Sequence, residues 1–167
     1  MKHYLLIAVG LLAFSIVAQA LEKTSDEMFQ RSQQELPYAI DQTLQTFSKT
    51  VHGGVQHVVV KSTDNIRQIK LIQAHLLKST EEYRNGDFSV TERIHGANMP
   101  GLALLKTAKT DDIKYEYKAL ENGAQIHYST EYPQFVQALH EWFDAQASAH
   151  GNAAMPGHLQ HHSTPAE

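Results

Sequence analysis

Ile113-Lys114-Tyr115-Glu116-Tyr117-Lys118-Ala119-Leu120-Glu121-Asn122-Gly123-Ala124-Gln125-Ile126-His127-Tyr128 is the stretch that decides the fold. Ile113, Tyr115 and Tyr117 alternate with Lys114, Glu116 and Lys118, and the alternation resumes at Ala124, Ile126 and Tyr128. A period of two places one set on a buried face and the other in water, and Asn122-Gly123 between the runs supplies the tight turn of a hairpin. Downstream, 131–148 carries Pro133 in its first turn and Phe135, Leu139, Trp142, Phe143 and Gln146 along one side, which predicts a helix.

The same plan is predicted upstream. Residues 43–51 and 55–61 are β-rich, with His52-Gly53-Gly54 as the expected turn. Thr63, Asp64 and Asn65 offer helix-start chemistry before Ile66, Ile69, Ile72, Leu76 and Tyr83, and Asn85-Gly86 stops the pattern. Ser89-Val90-Thr91-Glu92 has capping-box spacing for a short helix to Ile94, and Leu102, Leu104 and Leu105 suit one more turn. Short echoes link the halves: Gly54-Val55-Gln56 with Gly123-Ala124-Gln125, Ser62-Thr63 with Ser129-Thr130, and the glycine-rich 95–101 with 150–157. The expectation is an α+β single domain of two ββα units, an antiparallel or mixed sheet covered by helices on one face, with an internal repeat.

Around this core, residues 1–20 read as a signal peptide: Lys2, an apolar run from Tyr4 to Val17, and Ala18-Gln19-Ala20 at the cleavage point. The run is shorter than the roughly 20 apolar residues of a membrane anchor. Residues 21–37 form a polar leader or marginal helix closed by Pro37, 38–149 the domain, and 150–167 an expected disordered tail. The expected location is periplasmic or secreted, with no membrane contact after cleavage.

The 147 residues after Ala20 carry 13 basic against 18 acidic side chains and no basic block, which disfavours nucleic acid and anionic membranes. The absence of cysteine removes disulfides, thiolate catalysis, lipid attachment at a cysteine and Cys-type zinc sites. Signatures for serine hydrolases, phosphate loops, zinc proteases and covalent haem are missing, so no enzyme is predicted.

Ten of the eleven histidines follow Ala20. His95 and Met99, four residues apart in a Gly/Pro loop, make an imidazole–thioether pair suited to copper, Cu(I) above all, or to the axial positions of haem. His140, with Asp144 one turn ahead, and His75, at the edge of the first long helix, are candidates to complete the site. His150, Met155, His158, His161 and His162 make a tail able to collect divalent metal. His52, His57 and His127 receive no role.

Ile94-His95-Gly96-x-x-Met99-Pro100-Gly101-Leu102, Ala138-Leu139-His140-x-Trp142-Phe143-Asp144-Ala145-Gln146 and Leu71-Ile72-x-x-His75-Leu76 resemble a family of small exported bacterial proteins of uncharacterised function. The likeness spans about 51–151, and members often carry the label aspartate carbamoyltransferase. A carbamoyltransferase is a cytoplasmic chain about twice as long, with a Ser/Thr/Arg-rich phosphate site. The resemblance therefore implies emphasis on His75, His95, Met99 and His140, not that activity. The leading expectation is a periplasmic copper-handling protein. The alternatives are an accessory module that binds a protein partner or small organic ligand in a groove between the sheet and the first long helix, and a non-covalent haem binder.

Overall fold

A computed structural model describes residues 26–149 and the backbone of 154–156. The expected signal peptide at 1–20 and the tail positions His150, His158, His161 and His162 lie outside the described residues, and Met155 is described by its backbone alone.

Helix α1 (residues 26–35) comes first. β1 (Thr43–Thr50) and β2 (Gly53–Val60) form the first hairpin, followed by α2 (Ile66–Arg84), α3 (Ser89–His95) and α4 (Leu102–Leu105). β3 (Lys114–Leu120) and β4 (Gly123–Ser129) form the second hairpin, followed by α5 (Pro133–Ala149) and a three-residue strand β5 (Ala154–Pro156). The sheet runs β3-β4-β2-β1-β5. Its first four strands are antiparallel, and β5, inside the tail expected to be disordered, lies parallel to β1. This is an α+β domain in which each half runs hairpin, then helix.

The second strands of the two hairpins meet at the sheet centre, with Gln56 opposite Ile126 and His57 opposite Gln125. Each long helix then crosses to the other half. α2 lies over β4 and β3, and α5 over β1 and β2. The two halves are thereby interlocked, although α2 also touches β2 of its own half.

Alternation explains which face is covered. Val58 and Val60, Ala124, Ile126 and Tyr128, and Tyr115 point at the helices and are buried. They meet Ile69, Ile72 and Leu76 of α2 and Phe135, Leu139, Trp142 and Phe143 of α5. The opposite face carries Thr46 and Ser48, Val55 and His57, and Gln125 and His127, all half-buried. Burying one large apolar side chain contributes roughly 1.5–3 kcal/mol, and a surface ion pair about 0–1 kcal/mol. Packing therefore carries a fold without disulfides.

Local chemistry departs from expectation at two places. The first turn is Val51-His52, since Thr50 pairs with Gly53 and β2 already begins there. Gly54 is needed inside the sheet, where a Cβ would strike the Phe143 ring and the Ser48 carbonyl. At α3, Ser89 is the first helical residue and not the cap, so no capping box forms. Asp87 Oδ1 instead accepts from Ser89 N at 2.9 Å. At α2 the expected start holds: Asn65 Oδ1 accepts from Gln68 N at 3.3 Å.

Candidate functional site

The β1–β2 turn is fastened to the start of α5 from two sides. His140 Nε2, on α5, lies 2.9 Å from Thr50 O and 3.0 Å from Gly53 O. Both partners are carbonyls, so Nε2 must carry the proton, and in the neutral ring the lone pair is left on Nδ1. From the end of β4, Thr130 N donates to His52 O at 2.9 Å. Thr130 Oγ1 donates to Asp112 O at 2.6 Å and accepts from Tyr132 N at 3.1 Å, which fixes the bend into α5.

These bonds hold open a cleft of about 500 Å³ between the turn and the first three turns of α5. Val51, Pro133 and Val136 supply apolar surface, while His52, Gln137 and His140 supply neutral polar groups. Glu131, Glu141 and Asp144 add three carboxylates, and among the described residues no lysine or arginine lines the cleft. Asp144 is balanced from outside by Lys49, with an N–O distance of 2.5 Å, and Glu141 accepts from Gln137 Nε2 at 2.9 Å. Val51 at the rim is 87% exposed, an unusual place for a β-branched apolar side chain. The cleft combines apolar surface with two carboxylates, Glu131 and Glu141, that meet no lysine or arginine among the described residues, which is the chemistry of a site for a cationic organic group.

The residues nominated from the sequence are dispersed. His75 borders a different cleft with Glu35, Pro37, Ala74, Lys78, Val90 and Arg93, sharing no lining residue with that of His140. Its Nε2 is 3.5 Å from Ser79 Oγ, and its ring meets Tyr38 edge-on at 5.6 Å. Burial drives the His75 pKa down to about 4, helped by Lys78 and opposed by Glu82. His95 closes α3, and Met99 is 8% exposed within the apolar core. Among the described residues no group of three or more His, Asp or Glu is placed to hold a metal ion.

The groove expected between the sheet and α2 is filled by Ile69, Ile72 and Leu76. His52, given no role from sequence, lines the α5 cleft. Nothing local signals it, because the residues that complete the cleft lie 78 and more positions away in the chain. Among the described residues no helix is long and apolar enough to cross a membrane. No protein-family model, no curated protein and no solved structure matches the chain.

Proposed function

We propose that this protein is a non-enzymatic binding module whose recognition site is the cleft between the β1–β2 turn and α5. Its occupant is a small organic ligand that presents a protonated amine beside an apolar body. The observation that carries this reading is a cleft of about 500 Å³ with apolar walls and three carboxylates, of which only Asp144 is paired with a lysine or arginine among the described residues. Amine nitrogen would be received by Glu131 and Glu141, and the apolar part would lie on Val51, Pro133 and Val136. The proposed setting is the periplasm or another extracytoplasmic space, on the strength of the signal-peptide pattern at residues 1–20.

Copper held by His95, Met99, His75 and His140 has less behind it. The Met99 thioether is packed in the core, His75 and His140 border separate clefts, and His140 has only Nδ1 to offer.

The test is calorimetric and NMR titration of the full chain with benzylamine, benzyl alcohol and benzoate. Saturable binding of benzylamine alone, with shifts confined to residues of the cleft and lost in Glu131→Gln/Glu141→Gln, is the expected result. Equal response to all three probes, or binding that survives the double substitution, rejects the reading.

A further inference from the structure

The open face of the sheet carries two histidines that neither the leader, the core nor the α5 cleft uses. His57 on β2 and His127 on β4 project from this face, on adjacent central strands. His57 pairs with Gln125 and His127 with Val55, so the two imidazoles are diagonal neighbours across the β2–β4 seam. Diagonal partners on one face of an antiparallel pair stand roughly 7–8 Å apart, within reach of ring side chains.

Each ring is already oriented by a side chain from a neighbouring strand. His57 Nε2 lies 3.1 Å from Gln125 Oε1, and His127 Nδ1 lies 3.3 Å from Glu116 Oε2. Both partners are acceptor oxygens, so those nitrogens carry the protons. The lone pairs of the neutral rings are then on His57 Nδ1 and His127 Nε2. A ligating histidine whose second nitrogen donates to a carboxylate or amide oxygen is the usual outer-shell arrangement at protein metal sites. His127 keeps 38% of its side chain exposed and His57 is half-buried, so both rings can be reached from solvent. On the neighbouring strand β3, Lys118 lies opposite Gln125 and Lys114 opposite Ser129, so both lysines flank Glu116 as diagonal neighbours of His127, and neither stands directly opposite His57 or His127.

We propose that His57 and His127 form a two-imidazole site for a divalent transition metal on the open sheet face, with Glu116 and Gln125 as positioning residues. Two nitrogens occupy adjacent coordination positions and water fills the rest. Among first-row divalent ions, Cu(II) forms the strongest imidazole complexes and is the ion of choice for this pair. The site shares no residue with the amine cleft, which is lined from the β1–β2 turn, the segment after β4 and α5 on the helix-covered side.

The experiment uses the full chain with His150, His158, His161 and His162 all changed to Ala, so that copper taken by the tail does not obscure the sheet. Cu(II) is titrated, and the electron paramagnetic resonance spectrum is read for nitrogen couplings. One equivalent bound with couplings from two imidazole nitrogens is expected. His57→Ala and His127→Ala should each leave one coupled nitrogen and weaken binding by more than the about 10–100-fold that loss of an orienting partner alone costs. Glu116→Gln should weaken it less than either. His57→Gln and His127→Gln serve as second variants, and metal-free melting temperatures equal to the parent's verify folding. Affinity or nitrogen coupling that either histidine substitution leaves unchanged overturns the proposal.

Discussion

His140 Nε2 bridges Thr50 O and Gly53 O, the two carbonyls that bracket the β1–β2 turn, at 2.9 and 3.0 Å. One imidazole N–H thus ties a helix to a hairpin formed ninety residues earlier in the chain. Two backbone acceptors share this donor, so its loss should cost about 1–3 kcal/mol, the range for stranding buried hydrogen-bonding groups. His140→Ala is expected to lower the urea midpoint without changing the slope, and to speed amide exchange at His52 and Thr130 above that of the rest of β1 and β2. Uniform exchange across the hairpin would mean that the turn is held by other contacts.

Gly101 and Gly86 offer a matched pair for separating backbone strain from collision. Both have positive φ, at 75° and 72°, so alanine at either position is strained by about 1–2 kcal/mol. A Cβ at Gly86 meets nothing within 4 Å, whereas one at Gly101 runs into the Ala138 carbonyl of α5. Gly101→Ala should therefore destabilise at least twice as much as Gly86→Ala in parallel denaturant titrations. Equal losses would show that α4 can slide away from α5 at little cost.

The hairpin at 114–129 and helix α5 were legible because their signals are local. Tyr115, Ala124, Ile126 and Tyr128 alternate around Asn122-Gly123, and Phe135, Leu139, Trp142 and Phe143 recur at helical spacing. Gly54 misled because a glycine that admits a neighbouring ring reads like a turn glycine until Phe143 is in place. The exchange of helices between the halves leaves no trace in any short window. The same limit governed the sites. His140 was picked out by its position on α5, but its partners Thr50 and Gly53 depend on the interlocked topology. His57 and His127 look unrelated until β2 and β4 are paired.

The His75 imidazole makes stability depend on acid. Burial lowers its pKa from 6.5 to about 4, so the folded protein prefers the neutral ring. A depressed folded-state value means that the contribution is fully present above the unfolded pKa, near 6.5. It is lost as pH falls from there toward 4, because the unfolded chain takes up the proton first. The shift corresponds to at most about 3 kcal/mol. Unfolding free energies of the parent and His75→Leu, measured from pH 7 to pH 4, should diverge in that window, with the parent losing more. Parallel curves would place the protonation-sensitive group elsewhere.

Trp142 Nε1 and Gln146 Oε1, one helical turn apart on α5, are both buried and have no hydrogen-bond partner among the described residues. An amide oxygen stranded in a dry interior costs about 1–3 kcal/mol relative to its hydrated state, and a thioether of similar length carries no such penalty. Gln146 is 5% exposed beside the aromatic cluster of Trp142 and Phe143, so methionine can fill the same space. Gln146→Met is expected to raise the unfolding free energy by about 1 kcal/mol, seen as a higher urea midpoint at unchanged slope. The opposite sign would reveal an ordered water joining the indole N–H to the amide oxygen. In that case Trp142→Phe should become additionally costly in the parent but not in the Gln146→Met background, because only the parent would still hold the water that the indole binds.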